Sequence, residues 1–490
     1  MTRRFNLEPL QSAGYRRYLL ATMLASLSLF IYQPSIEWVV LRETGSTAAV
    51  GFIEAVLIVP VAVATLPSGV LTDRFGARRL LAVALGGIAL AVGLAALLAS
   101  AGLLTFQSAV VLTLLLGIFD GLYGVPVQQL LMHLVPARQL GPAIGLSMLT
   151  SGIGRLIGAP LGGAMLAVFG PVPAFLPAAA GLVVSVIVVL TIPVAGSDER
   201  QAGRLGVGDV RDSVRWLRRE PSVLALTALG AIGALFVFGH GALFPTITRD
   251  LLHADSAVLG VLTGAGGIGI ILAAVTLESF GRWLGRGRLV VAILLGIALA
   301  VGGLGFSGLL PVSVVLAGLL AGLQYAFGGT AQLLIQTIAP PRMRGRILAL
   351  YGFVVYCLLP VSTISIGVLA DRIGVTAVLI GMAAATIVAT ILVALASPAL
   401  LSIDIGPAGE LRRRGAPPAG LRDETTDQAS APADASVRRT LRPRRTLRCR
   451  RTLRPRRAVR PPTTPPAGAP EARNRVLWDE KRAPGAIVVG

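Results

Sequence analysis

Twelve long apolar runs restrict what this sequence can fold into. They fall at about 18–41, 48–71, 80–100, 107–131, 143–168 and 172–194, and then at about 223–247, 256–277, 289–309, 312–335, 347–370 and 375–399. A helix needs about 20 apolar residues to cross the hydrocarbon core of a bilayer. The runs therefore predict an all-α membrane protein with twelve transmembrane helices in two sets of six. The first run is too long for a cleaved signal peptide, so we expect it to be retained.

The composition excludes a soluble fold. Hydrophobic residues make up 54% of the 490 residues, and only 14% are charged. A soluble domain carries about 25% charged residues. With an N-terminus on the cytoplasmic side, only Arg42, Arg249 and Arg372 among the arginines of the body face outward. Cytoplasmic loops are enriched in positive charge, so we expect both termini to be cytoplasmic.

The runs and the polar stretches between them predict five parts. These are a cytoplasmic N-terminus, an N-terminal six-helix bundle, a cytoplasmic linker, a C-terminal six-helix bundle and a tail: 1–17, 18–194, 195–222, 223–400 and 401–490. In the linker, Val214, Trp216 and Leu217 alternate with arginines, which predicts an amphipathic helix on the inner membrane surface. For the first half of the linker, an unstructured polar segment is an equal alternative.

The tail is rich in Arg, Pro and Thr and has no apolar periodicity. A six-residue pattern recurs between Arg438 and Arg460, and much of the formal charge of +20 lies here. Such a composition predicts disorder. Its charge would hold it near anionic headgroups or to nucleic acid. An expanded repeat without a specific partner is the alternative that we favour, and no specific nucleic-acid partner is expected.

A polar loop with a defined spacing follows the second run. It reads Gly-Val-Leu-Thr-Asp-Arg-Phe-Gly-Ala-Arg-Arg. The first glycine permits close approach of a neighbouring helix, and the second permits a turn that other residues avoid. The aspartate can face the positive N-terminal end of a neighbouring helix, while the arginines anchor the turn at the headgroups. The residues that we expect to form a conformational switch are Gly69, Asp73, Arg74, Gly76, Arg78 and Arg79.

The end of span eleven repeats this pattern. Residues Gly367 to Gly374 read Gly-Val-Leu-Ala-Asp-Arg-Ile-Gly. Counting spans places the first copy inside and the second outside, so spans two and eleven would be equivalent helices in three-helix units of opposite orientation. Span five carries a separate helix-packing motif of small residues and proline, consisting of Gly154, Gly158, Pro160, Gly162 and Gly163.

These motifs resemble those of the major facilitator superfamily of transporters. The loop from Gly69 resembles its signature loop, and the span-five motif resembles its antiporter motif, except that Ala159 separates a glycine from the proline. The segments at 135–138 and 339–346 resemble loops of the exporter branch that includes enterobactin exporters and multidrug efflux permeases. The resemblance covers about residues 10–400. It implies two six-helix bundles built from inverted three-helix repeats, alternating access, and a bacterial cytoplasmic (inner) membrane.

Charged residues within spans are costly, which makes each one a functional candidate. Asp120 in span four and Arg155 in span five can share a depth because consecutive spans are antiparallel. Two interpretations stay open: a carboxyl that exchanges a proton when the pair separates, or a fixed ion pair that stabilises the bundle. Drug–proton antiporters of the superfamily usually carry an arginine in span four, and this chain has none there.

Two further acidic side chains lie in the outer thirds of spans one and two. Glu37 and Glu54 are candidates for an outward vestibule, or they reach the headgroups and stay solvated. His240 lies in span seven, and a lone histidine in such a position is more often a structural residue than a titrating one. Polar residues that are candidates for lining a substrate cavity include Gln33, Tyr123, Gln324, Tyr325 and Tyr356, and we also consider Gln128, Gln332 and Tyr351.

Together these features predict a secondary active, proton-coupled exporter of a hydrophobic or amphiphilic small molecule, drug or siderophore-like. The alternatives are an uptake or lipid-translocating facilitator, or a non-transporting membrane anchor whose basic tail recruits a partner. We expect a monomer that is not an enzyme. The chain lacks a nucleotide-binding loop, its one lysine is Lys481, and its three histidines lie far apart, so no cofactor or metal site is predicted.

Overall fold

The computed structural model describes residues 8–193, 207–284, 286–340, 343–405 and 411–413. Within these ranges, 12 helices are long and apolar enough to cross a membrane, which confirms the predicted number. The spans of the N-terminal half are α1 to α6: Ala13–Thr44, Thr47–Phe75, Ala77–Ser100, Phe106–Leu134, Leu140–Phe169 and Pro171–Leu190.

The C-terminal half follows a short connecting helix. This helix, α7, spans Val207–Arg219, and its buried Leu217 and exposed Arg218 and Arg219 show two different faces. The elements from span seven onward are α8, the short α9, and then α10 to α14: Pro221–Phe236, Phe244–Thr246, Ser256–Leu284, Arg286–Gly305, Leu310–Ile338, Arg344–Ile373 and Val375–Ala396.

Span seven differs from the continuous helix that the sequence predicts. After α8 the chain passes through a 3-10 helix at Phe238–Leu243, then α9, and then a π-helix at Ile247–Leu251. Gly239 and Gly241 favour no single helical form, and Pro245 cannot donate the backbone hydrogen bond of a regular α-helix. The outer part of this span is therefore irregular, and it lies against α2 and α13.

The two copies of the Gly-Asp-Arg-Gly pattern have the same backbone geometry. Gly76 separates α2 from α3 with φ of 84°, and Gly374 separates α13 from α14 with φ of 86°. A side chain at either position would be strained, because this region of backbone space favours glycine. The equal turns support the view that spans two and eleven are equivalent parts of a repeated unit.

The beginning of the tail departs from the prediction that disorder starts at residue 401. A short helix occupies Pro398–Leu401, and Ile403–Ile405 pairs in antiparallel register with Leu411–Arg413. Ile403 is buried, and the backbone of Leu400 packs directly on Gly287 of α11. Burial of these groups at the N-terminal end of α11 orders the first residues after the last span. Residues 414–490, including the repeat, lie outside the described residues.

Helices in both halves approach one another at backbone distance. A Cβ atom built on Gly158 of α5 would lie 2.6 Å from the carbonyl oxygen of Leu27 on α1, and one on Gly162 would lie 2.5 Å from that of Ile31. On its other side, α5 touches the other half, where Gly163 meets Ser256 and Gly260 of α10. The span-five motif therefore packs one helix of the N-terminal half against both α1 and α10.

Substituting Gly158 tests this packing. In Gly158→Ala the new methyl group overlaps the Leu27 carbonyl, and over-packing of this kind costs about 1–3 kcal/mol. We expect a lower thermal unfolding temperature for the purified protein in detergent. The matched control is Gly86→Ala on α3, where nothing lies within 4 Å of the added carbon. Equal unfolding temperatures for the two variants would contradict the packing role.

Candidate functional site

A cavity of about 780 Å³ lies between the two halves. It is lined mainly by α1, α2, α4 and α5 from the N-terminal half and by α10 and α12 from the other half. Its walls are largely apolar, with Leu29, Phe30, Ile36 and Met148 among them. Small-molecule sites typically combine such walls with a few polar groups that fix orientation. The cavity is therefore the candidate substrate site.

Most of the polar residues considered from sequence line this cavity. Those that do are Gln33, Tyr123, Gln128, Tyr325 and Gln332. Gln324 and Tyr356 are not part of the wall, so their predicted placement is wrong. The helical repeat explains why Gln324 does not line the cavity. Tyr325 and Gln332 are seven residues apart and share one face of α12, whereas Gln324 is rotated by about 100° from that face. Tyr356 is 50% exposed on α13.

Sequence reasoning missed other polar lining residues, which include Thr22, Ser147, Ser151 and Gln336. Gln336 continues the face of α12 that carries Gln332, so helical spacing alone could have found it. The serines of α5 gave no such signal, because small polar residues are common throughout apolar spans. They differ from other serines only in facing the gap between the halves.

Asp120 and Arg155 do not form the ion pair that the sequence suggested. The Nε atom of Arg155 donates to the carbonyl oxygen of Thr263 on α10 at 2.9 Å, and its guanidinium lies 5.3 Å from the ring centroid of Phe30. Asp120 faces the cavity from α4. A shared depth in the membrane is therefore insufficient, because the two side chains leave their helices in different directions. The fixed ion pair does not exist in this structure.

Arg155 instead lies near two glutamates, Glu37 and Glu54. These are near enough for their charges to interact with that of Arg155, although the described part of the chain shows no hydrogen bond or ion pair among the three side chains. Glu37 is only 7% exposed. Both glutamates line the cavity between the halves, whereas the sequence suggested an outward vestibule or solvated positions at the headgroups.

His240 is a buried structural residue in this conformation. Its Nδ1 atom lies 2.7 Å from the carbonyl oxygen of Val237, and its ring packs edge-on against Phe244. Both contacts hold the irregular part of span seven in place. The imidazole is close enough to Arg155 to interact with its charge.

The end of the bundle opposite the N-terminus is closed by Asp371, from the second copy of the repeated pattern. Its carboxylate accepts hydrogen bonds from the backbone N–H groups of Thr47 and Ala48 at 2.7 and 3.0 Å, and from the Ser46 hydroxyl at 2.5 Å. These groups form the N-terminus of α2, where unpaired N–H groups attract negative charge. Arg249 adds a bond to the Gly45 carbonyl oxygen at 3.3 Å. We call this set of contacts the outer lock.

The first copy of the pattern makes no equivalent contact. Asp73 accepts a long hydrogen bond of 3.5 Å from Gln129 of the same half, and open space surrounds the position where a Cβ atom of Gly69 would lie. Arg78 donates to the carbonyl oxygen of Ile192 at 2.9 Å and ties α3 to the end of α6. In this conformation neither Gly69 nor Asp73 meets a neighbouring helix terminus among the described residues. At the N-terminal face this loop therefore makes no contact like that of Asp371 among the described residues.

Neutralising Asp371 should weaken the outer lock. Asp371→Asn removes the charge at the α2 N-terminus, worth about 1 kcal/mol, or a several-fold shift in population. We expect spin labels at exposed Glu43 and Thr376 to show a larger fraction of long distances by electron spin resonance, in a chain with its cysteines replaced by serine. Asp73→Asn is the matched comparison, because it removes the same charge at the opposite face, and it should not increase the fraction of long distances. An unchanged distance distribution in Asp371→Asn would contradict the lock.

The chain is similar in sequence to known bacterial exporters. The multidrug efflux pump Tap of Mycobacterium tuberculosis is 27% identical over 410 residues, which cover 81% of this chain and 96% of that protein. The enterobactin exporter EntS of Citrobacter koseri is 26% identical over 345 residues, which cover 69% of this chain and 80% of that protein. The similarity therefore extends through both halves.

Solved structures show the same fold. The crystal structure of a mutant of the nucleoside transporter NupG aligns with a TM-score of 0.63 at 13% identity, over 78% of this chain and 99% of that one. The model of the transmembrane secretion effector family matches residues 5–460. With twelve apolar helices, a cavity between two halves and a repeated Gly-Asp-Arg-Gly turn, the chain belongs to this family of major facilitator superfamily transporters.

Proposed function

We propose that this protein is a proton-coupled exporter that moves a hydrophobic or amphiphilic small molecule by alternating access. The observation that carries the proposal is the cavity between the halves. Its largely apolar wall suits an apolar or aromatic body, while Gln33, Tyr123 and Tyr325 offer hydrogen bonds to a few polar groups. The described lining residues include three carboxyl side chains and no basic one, which disfavours a dicarboxylate.

The direction of opening corresponds to one of the two states that alternating access requires. The arginine distribution predicts that the N-terminal face is cytoplasmic. The structure is closed at the other face by the outer lock, whereas open space surrounds Gly69 at the N-terminal face. Under the predicted orientation this is the state from which an exporter takes up its substrate. The named efflux relatives favour export over the uptake and lipid-facilitator alternatives.

Reconstituted vesicles test the proposal. We expect purified protein in proteoliposomes to drive a fluorescent amphiphilic dye across the membrane only when a pH gradient is imposed. Addition of the dye should also speed the collapse of that gradient, because each transport cycle moves protons the other way. Vesicles with an ionophore that abolishes the gradient are the control. Dye movement of equal rate and extent with and without the gradient would overturn proton coupling while leaving a transporter.

A variant of Asp120 gives a second test. Of the two interpretations of this residue, the fixed ion pair with Arg155 is absent from the structure, which leaves the role of proton carrier. In Asp120→Asn we expect normal membrane abundance, since Arg155 keeps its bond to Thr263. Gradient-driven transport should fall sharply, because an amide cannot exchange a proton, whereas dye exchange without a gradient should persist. Full gradient-driven transport in Asp120→Asn would remove this residue from the mechanism.

A further inference from the structure

A second cavity, separate from the candidate substrate site, lies on the outside of the C-terminal half. It has a volume of about 730 Å³ and is formed by α10, α11 and α12. Helices α10 and α11 each pack against α12 but touch one another little, so α12 forms the floor and the other two form the walls. A Cβ atom built on Gly322 of α12 would lie 2.6 Å from the carbonyl oxygen of Gly269 on α10, and this close contact separates the two cavities. We call the second cavity the lipid-side groove.

The lining of the lipid-side groove is entirely apolar. It consists of alanine, valine, leucine, isoleucine and glycine residues. Ile268, Leu272 and Val315 in this lining are 48%, 58% and 68% exposed, although each lies within a membrane span. Water finds no polar partner on such a wall, so within a bilayer the groove is filled by hydrocarbon.

The length of the groove matches one acyl chain. On α12 the lining extends from Val314 to Ala326, which is about 18 Å along the axis at 1.5 Å per residue. One leaflet contributes about half of the ~30 Å hydrocarbon core. Helix α11 runs antiparallel to α12, and Gly296 of α11 faces Leu323 of α12, so the end of the groove at Ala326 lies near the start of α11. Leu289, in the first turn of α11, lines this end.

Two arginines begin α11 at this end of the groove. Arg286 precedes Leu289 by three residues, which places it on the side of the helix that lines the groove. Arg288 is exposed, and neither arginine has a hydrogen bond or ion pair within the described part of the chain. The sequence from 278 to 288 carries three arginines and one glutamate, so positive charge is in excess here. A guanidinium group binds phosphate oxygens through paired hydrogen bonds.

The start of the tail adds further arginines beside the same end. A Cβ atom built on Gly287 would lie 3.3 Å from the carbonyl oxygen of Ile403, so the hairpin packs on the first turn of α11. Ile403 pairs in register with Arg413, and Asp404 pairs with Arg412. The hairpin thus places two arginines and one aspartate of the backbone ladder next to the start of α11. The groove therefore has an apolar body and a basic end.

We propose that the lipid-side groove binds an anionic phospholipid, with one acyl chain in the groove and the phosphate group against Arg286 and Arg288. Basic residues at a membrane surface attract lipids of net negative charge. A zwitterionic phospholipid offers the same phosphate, but the basic end repels its cationic group. The bound chain fills the space between α10 and α11, which touch little, and so stabilises the C-terminal half. This site depends neither on proton coupling nor on the identity of the transported molecule.

Photo-crosslinking in proteoliposomes tests the site in the full chain. The probes are phosphatidylglycerol with a diazirine in one acyl chain and phosphatidylcholine with the same group. We expect peptide mass spectrometry to find label on the groove helices at several times the level for phosphatidylglycerol, because each arginine near the surface changes affinity about fivefold. Equal labelling by the two lipids, or label only outside the groove, would overturn the proposal. Displacement of the label by a fluorescent amphiphilic dye would identify a substrate site instead and would also overturn it.

A groove-filling variant tests the place of the acyl chain. Ala292 is exposed and lines the groove, so Ala292→Trp should fill it and lower groove labelling by both lipids. The matched control is Leu299→Trp, two turns further along α11, where a 66% exposed side chain lies outside the lining. Groove labelling in Ala292→Trp at the level of this control would refute the groove as the binding place.

A charge variant tests the headgroup contact without altering the apolar wall. In the double variant Arg286→Gln with Arg288→Gln we expect labelling by phosphatidylglycerol to fall to the level of phosphatidylcholine. Arg219→Gln is the matched control, since it removes one exposed positive charge at the same membrane face, from α7, and should keep the excess. An undiminished excess of phosphatidylglycerol label in the double variant would refute the anionic headgroup site.

Discussion

The cost of placing charge inside a bilayer organises this structure. Each ionised group within the spans must find a counter-charge, a dipole or water. Arg155 satisfies this requirement with a backbone carbonyl oxygen of the other half and an aromatic ring of its own half, and the charges of two glutamates lie near enough to interact with it. Because the partners span the boundary, the electrostatics of one residue are tied to how the halves are arranged.

The second constraint is the lack of a hydrophobic force between helices within lipid. Helices there associate through close packing, which requires small residues where backbones meet. In α5, Gly158 and Gly162 meet α1, while Gly163 meets α10 of the other half. One contact is internal to the N-terminal half, and the other must change when the halves move. The same helix therefore combines a permanent interface with a variable one, and Arg155 lies between them.

Sequence patterns predicted the architecture well because they reflect the bilayer itself. Run length gave the twelve spans, and the echo of Gly69–Gly76 at Gly367–Gly374 predicted equivalent turns. The candidate site was predicted less well. A charge within a span reveals its depth but not its direction, which is why Asp120 was assigned to Arg155. The acidic side chains whose charges interact with Arg155, Glu37 and Glu54, are more than 100 positions away in the sequence, and only the packing of α1, α2 and α5 brings them near it.

The aspartates of the two copies of the repeated pattern have different contacts. This difference follows from the fact that symmetry places the two copies at opposite faces of the bundle. Each aspartate ends one helix of a half and can cap a helix N-terminus of the other half, at opposite faces of the bundle. Asp371 caps α2, whereas Asp73 has only Gln129, 3.5 Å away. Halves that rock about contacts near the middle, such as Gly152 with Gly267, cannot close both faces at once. A cap formed at one face therefore requires that the other be broken. The equivalent helix terminus for Asp73 is the start of α13, near Arg344, which is the partner that the opposite conformation would supply.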